Sequence, residues 1–157
     1  MKPSVYIETT IPSYLTAWHS PSLVMAANQE ATRRWWEVSR PHFELFISQV
    51  VLKEAGIGDK KAAKRRLSVI EGMPELEVST EAEVLATRLL VKSALPEKAK
   101  IDALHIAVAA VHGIEYLLTW NCKHIANAVM RPKIEGICRA ADYEPPIICT
   151  PLELMEE

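Results

Sequence analysis

Only three cysteines occur, Cys122, Cys138 and Cys149, and none stands in a CxxC pair. That excludes a disulfide scaffold and a thiolate metal site, and it reads as reduced, structural thiols in a cytoplasmic protein. No apolar run approaches the roughly 18 residues of a membrane span. Met1-Lys2-Pro3-Ser4-Val5 runs into a strand-like segment without the layout of a signal peptide. An excess of basic charge is missing as well. The formal net charge is −2, so any contact with nucleic acid has to be local rather than carried by bulk electrostatics. There is no GxGxxG, no Walker loop and no paired DxD, which leaves a nucleotide-binding or phosphotransfer reading without support. Internal repeats, low-complexity tracts and linkers are also lacking. The expectation is one domain over residues 1–157.

What is present is ordinary globular material, 49% hydrophobic and 24% charged over 157 residues, enough to bury a core unaided. Ser4 to Ile7 reads as a buried strand, followed by a helix opened by a threonine cap and Pro12. Val24, Ala27, Ala31, Trp35 and Val38 recur at helical spacing, with Arg33, Arg34 and Glu37 outside that stripe. Phe43 to Ile47 reads as a strand, and Ser48 caps a helix ended by Gly56 and Gly58. Asp59 to Ile70 predicts a basic helix, Leu76 to Val78 a short strand, and Thr80-Glu81-Ala82-Glu83 a capping box. A helix over Lys98 to His112 ends at Gly113. Tyr116 to Leu118 is a strand, Asn121 or a neighbour caps a helix, and Ile147 to Cys149 is a last strand. Short strands alternating with helices predict an α/β fold whose mainly parallel sheet is covered on both faces.

In such sheets ligands bind at the carboxyl ends of the strands, which singles out four residues. Glu8 follows the first strand, where it could also simply favour a helix N-terminus. Glu54 lies four residues after Val50 and three after Val51, so it borders an apolar face, although a solvated glutamate explains it equally. Asp102 begins a helix that is apolar nearly all round, with Ile101, Leu104, Val108 and Val111 at core spacing. A carboxylate there is costly unless paired or bound to a cation, although a first-turn aspartate serving the helix dipole explains it equally. His105, one turn on, reads as a hydrogen-bonded helix histidine and a possible neighbour. Asn121 is explained by capping alone. Taken together, however, oxygen ligands gathered at strand-to-helix transitions, without cysteine or histidine spacing, suit hard cations such as Mg²⁺ or Mn²⁺.

Val5-Tyr6-Ile7-Glu8-Thr9-Thr10-Ile11, Ser48-Gln49-Val50-Val51-Leu52-Lys53-Glu54, Ile101-Asp102-Ala103-Leu104-His105-Ile106-Ala107 and Leu117-Leu118-Thr119-Trp120-Asn121-Cys122-Lys123-His124-Ile125 occur in this order. This sequence of segments resembles the PIN-domain family, in particular the compact VapC-like toxins of type II toxin–antitoxin pairs. The resemblance spans residues 4–149 and is most specific around Asp102. It implies a three-layer α/β/α fold with a central, mainly parallel sheet of four to five short strands. It also implies endoribonuclease activity in which a metal-activated water hydrolyses RNA without a covalent enzyme intermediate. Glu8, Glu54 and Asp102 would bind Mg²⁺ or Mn²⁺, Asn121 would complete the site directly or through water, and Thr9 would support it by hydrogen bonding. The implied partners are an RNA substrate, a small antitoxin protein and a second copy of the chain, in the cytoplasm and away from any membrane. Two positions depart from the family, which usually carries aspartate at both Glu8 and Asn121. The second departure removes a negative charge, so the competing reading is a catalytically weakened domain that binds RNA or a protein partner.

Two further features bear on binding. Lys60, Lys61, Lys64, Arg65 and Arg66 could hold phosphate, but a solvated helix face explains them more simply. Trp35-Trp36 beside Arg33 and Arg34 could stack bases. Trp35 falls on the core stripe, which leaves Trp36 to face outward.

Overall fold

The computed structural model describes residues 1–92 and 96–155. Its sheet has five parallel strands, β1 (Ser4–Ile7), β2 (Glu44–Ser48), β3 (Glu75–Leu76), β4 (Tyr116–Leu118) and β5 (Ile147–Cys149), in the order β3-β2-β1-β4-β5. Val5, Tyr6, Ile7, Leu117 and Leu118 are fully buried. That is the expected state of a strand flanked by parallel neighbours and covered on both faces. The helices are α1 (Thr10–Thr16), α2 (Leu23–Arg34), α3 (Gln49–Ala55), α4 (Lys60–Ile70), α5 (Thr80–Lys92), α6 (Lys100–Val111) and α7 (Arg131–Ala140). α1 packs on α2 and α4, while α5 packs on α6 and α7, giving the three-layer α/β/α arrangement expected from the sequence.

The chain steps outward from β1 to β3, then returns to lay β4 on the other flank of β1. The connection therefore reverses direction between β1 and β4, the place where ligands bind in open α/β sheets. Adjacent strands leave the sheet there in register, with Ile7 opposite Leu118. Glu8 N then donates to the Leu118 carbonyl at 3.1 Å, and Thr119 N to the Cys149 carbonyl at 3.0 Å. Glu8 and Thr119 are thus fixed side by side at the carboxyl edge.

Helix ends explain much of the remaining path. α6 closes on Gly113, whose φ of 67° suits a residue without Cβ. Gly113 N donates to the Ala110 carbonyl and Ile114 N to the Ala109 carbonyl, the paired bonds that end a helix and turn the chain, here into β4. Asp59 caps α4 through Ala62 N, and Ser48 caps α3 through Val50 N.

Four expectations about local structure need correction. Thr9 does not cap α1 with its side chain; its hydroxyl is drawn to Glu54, and the Glu8 carboxylate takes Thr10 N instead. The cap of α5 is Ser79, one residue before the proposed box, accepting from Ala82 N at 3.2 Å. Asn121 caps a single turn, accepting from His124 N at 3.1 Å. Asn127 then starts a second turn by accepting from Val129 N, so the next helix begins only at Arg131. The stripe proposed for α2 holds only at Ala31 and Trp35, since Val24, Ala27 and Val38 are exposed. The face that is buried there includes polar residues. Gln29 bonds Ser20 N and the Trp18 carbonyl, and Thr32 accepts from Trp120 Nε1 at 2.7 Å. Trp35 is fully buried and donates to the Leu154 carbonyl, while Trp36 is half-buried under the Arg40 guanidinium.

Cys122 is exposed, and Cys138 and Cys149 are buried and free. Burial pushes their thiols up, to about 11 and about 12, which makes them poor nucleophiles at neutral pH.

Candidate metal centre

Glu8 is 3% exposed, and donors reach both of its carboxylate oxygens. Oε1 accepts from the hydroxyls of Thr10 and Thr119, and Oε2 accepts from Thr10 N at 3.2 Å. Burial raises its pKa, and the nearby Glu54 adds to that. His105 and the two threonine hydroxyls oppose the rise without cancelling it. Burial disfavours the ionised form of this carboxyl, and a bound cation would favour it.

Glu54 comes from α3, whose N-terminus Ser48 fixes at the end of β2. Its Oε1 accepts from Thr9 Oγ1 at 2.6 Å and meets His105 Nε2 at 2.5 Å. Burial pushes this carboxyl up, but the hydrogen bonds from His105 and Thr9 outweigh it and leave the pKa below the ordinary value. Two adjacent carboxyls are therefore driven in opposite directions by their surroundings. No donor among the described residues reaches Glu54 Oε2.

Behind Glu54 lies a buried polar chain. His105 is fully buried in an otherwise apolar helix. Its Nδ1 lies 2.7 Å from the Tyr6 hydroxyl, which lies 2.7 Å from Ser48 Oγ. The Tyr6 and His105 rings meet edge to face, 5.6 Å apart.

Among the described residues, one carboxylate oxygen each from Glu8 and Glu54 and one ring nitrogen of His105 lie within 4.8 Å of one another. Asp102 stands outside that group. Its Oδ1 accepts from Asn121 Nδ2 at 3.0 Å and its Oδ2 lies 2.9 Å from His124 Nδ1. Thr119 ties the two halves together, since Asn121 N donates to the same hydroxyl that donates to Glu8. Of the residues singled out in the sequence, the fold thus joins Glu8, Thr9 and Glu54 in one group and Asp102 with Asn121 in a neighbouring one.

The donor set suits a hard or borderline divalent ion, with two carboxylates facing each other and no thiolate. Tyr6, Thr10, Thr119 and His124 were not among the site residues read from the sequence. All four lie inside the segments that carried the resemblance, two or three residues from Glu8 or Asn121. For His105 the signal was there too: a histidine i+3 from an aspartate on a helix otherwise apolar from Ala103 to Val111, although Ile101, read at core spacing, is exposed at the first turn.

A family model described as the PIN domain matches residues 13–124, a span that contains Glu54, Asp102 and Asn121 and begins after Glu8. No curated protein matches the chain significantly. Among solved structures, a chain of the crystal structure of VapBC2 from Rickettsia felis bound to a DNA fragment from their promoter is similar in fold. It aligns with a TM-score of 0.58 at 16% identity, covering 94% of this chain and 98% of that one.

Proposed function

The chain belongs to the PIN-domain family, and from that premise we propose that it is a divalent-metal-dependent endoribonuclease acting as the toxin of a toxin–antitoxin pair. The observation that carries the reading is the pair of facing carboxylates, Glu8 and Glu54, held with His105 within 4.8 Å at the switch point of the sheet. Glu8 and Glu54 would hold Mg²⁺ or Mn²⁺, with Asp102 and Asn121 as the second half of the ligand set, reached directly or through water. When bound, such an ion activates water and offsets charge on phosphate oxygens during in-line displacement at phosphorus.

The chain's own residues do the rest. Thr9 and His105 fix one oxygen of Glu54, so its carboxylate cannot rotate freely and its charge persists. Thr10 and Thr119 orient Glu8 in the same way. The Asn121 amide and the His124 ring hold Asp102 between them, one on each carboxylate oxygen.

The related complex contains an antitoxin and promoter DNA by its own description. By analogy this chain would be neutralised by a small antitoxin, as a homodimer in the cytoplasm. Among the described residues no helix is long and apolar enough to cross a membrane. A second reading, a catalytically weakened PIN domain that binds RNA or protein, is favoured by one observation. Both side-chain heteroatoms of Asn121 are engaged within the protein, Nδ2 on Asp102 and Oδ1 on His124 N.

Cleavage of a structured RNA in Mn²⁺, Mg²⁺ or EDTA separates the two readings. The nuclease reading expects metal-dependent cutting that Asp102→Ala abolishes. Wild type and variant equally inert on varied RNAs with either metal would move the function to binding.

A further inference from the structure

The buried chain behind Glu54 has a direction that hydrogen counting determines. His105 Nε2 lies 2.5 Å from a carboxylate oxygen. A carboxylate only accepts, and Glu54 Oε1 already accepts from Thr9 Oγ1. Nε2 therefore carries a proton. Ser48 Oγ already accepts from Val50 N, so its own proton needs an acceptor. The Tyr6 oxygen is the only one among its described partners. The Tyr6 proton is then free to go to His105 Nδ1, which accepts it as the bare nitrogen of a neutral ring. Run the other way, with Nδ1–H donating to Tyr6 and Tyr6 to Ser48, the Ser48 proton has no acceptor among the described residues. A buried unsatisfied hydroxyl is costly, and Ser48, Tyr6 and His105 are all fully buried.

We infer that His105 is a positioning residue and not a metal ligand: Ser48, Tyr6 and His105 form a one-way donor chain that pins Glu54 Oε1 and leaves Oε2 for the cation. The inference rests on the metal-centre reading above and adds what it leaves open, namely whether the third member of the 4.8 Å group binds the ion. A protonated Nε2 has no lone pair to offer a metal, and the other nitrogen faces Tyr6. The ring therefore acts as the outer partner of a ligating carboxylate, an arrangement that fixes ligand orientation and affinity.

The test uses the full chain, with nitrogen NMR of the imidazoles in the metal-free and Mg²⁺-loaded protein and nitrogen-coupled electron spin echo of the Mn²⁺-loaded protein. His105 is expected to show a protonated Nε2 and a bare Nδ1 in both NMR samples, and Mn²⁺ is expected to show no directly bound nitrogen. Tyr6→Phe removes the donor to Nδ1. It should mix the two tautomers and weaken Mn²⁺ binding roughly fivefold, somewhat less than the tenfold or more that follows loss of a direct outer partner. A merely structural role for Tyr6 would lower thermal stability and move neither readout. His105→Gln keeps an N–H donor for Glu54 and should retain most of the affinity. An Nδ1–H tautomer, a Mn²⁺–nitrogen coupling, or a Tyr6→Phe variant with unchanged tautomer and affinity would each overturn the inference while leaving the metal centre standing. Wild type that binds no Mn²⁺ at all would overturn the metal centre itself, and the inference with it.

Discussion

Thr119→Val removes one hydroxyl from the joint between the two halves of the site and changes almost nothing else. Threonine and valine have nearly the same shape, and position 119 is fully buried, so packing is retained. Two interactions are lost, the donation to Glu8 Oε1 at 2.6 Å and the acceptance from Asn121 N at 2.9 Å. A hydrogen bond to a charged group contributes about 1.5–3 kcal/mol, and a stranded amide costs about 1 kcal/mol more, less where water can reach it. Where Glu8 is ionised, the metal-free protein should therefore lose about 3 kcal/mol, which for a chain of this size is a fall in Tm of roughly 6–12 °C. The loss should depend on pH in a definite direction. The hydroxyl stabilises ionised Glu8, whose folded pKa is already raised, and removing it raises that pKa further. The difference between wild type and variant is thus full above the raised value and shrinks as pH falls through it and Glu8 takes up a proton. Urea unfolding followed by circular dichroism in steps from pH 4 to pH 9, with equal m-values, measures it. A difference that stays under about 0.5 kcal/mol at every pH, or one that grows as pH falls, would refute the reasoning.

The two carboxyls of the centre should shape the pH profile of the metal-free protein in opposite ways. Glu8, raised from 4.5, makes the fold less stable as pH climbs from that value through its folded pKa. Glu54, lowered, contributes stability above its ordinary value that is lost as pH falls through the depressed one. Tm against pH in EDTA should show the Glu8 fall, and Glu8→Gln or added Mn²⁺ should flatten it; parallel curves would contradict the assignment. Asn121→Asp replaces a 3.0 Å amide–carboxylate bond to Asp102 with two like charges. Its Tm in EDTA should drop while its Mn²⁺ affinity rises, and the opposite pair of changes would show that Asn121 stands clear of the ion. Thr32→Val strands the buried Trp120 indole N–H. It should cost about 1–2 kcal/mol in urea unfolding with RNA cleavage unchanged, and a neutral result would mean that water replaces the hydroxyl.

The strands were legible because parallel strands buried on both faces leave continuous apolar runs. Tyr116–Leu118 and Ile147–Cys149 were read with their observed bounds, and β2 and β3 were displaced by a residue or two. Periodicity misled at α2, where the inward face carries Gln29 and Thr32, and where polar groups satisfied by Trp18, Ser20 and Trp120 take the place of a hydrophobic stripe. Glu8, Thr9 and Glu54 could be nominated from their places after strands. That Thr9 donates to Glu54 rather than capping α1 is a contact across 45 residues that no local rule contains. Tyr6, Ser48 and His105 were each explained by something nearer at hand, as a strand residue, a cap and a helix histidine. Their chain spans separations of 42 and 99 residues, and it exists only because β1 lies between β2 and β4. The grouping of Asp102 with Asn121 and His124, apart from Glu8 and Glu54, depends equally on where α6 enters beside the sheet.

The central claim is that Glu8 and Glu54 together hold a divalent cation, and calorimetric titration of the metal-free protein with Mn²⁺ tests it most directly. Wild type should bind the ion, and Glu8→Gln, which removes a charge while keeping the size of the side chain, should weaken that binding at least tenfold without unfolding the protein. Equal affinity in a folded Glu8→Gln variant would contradict the account and place the ion, if one is bound, elsewhere.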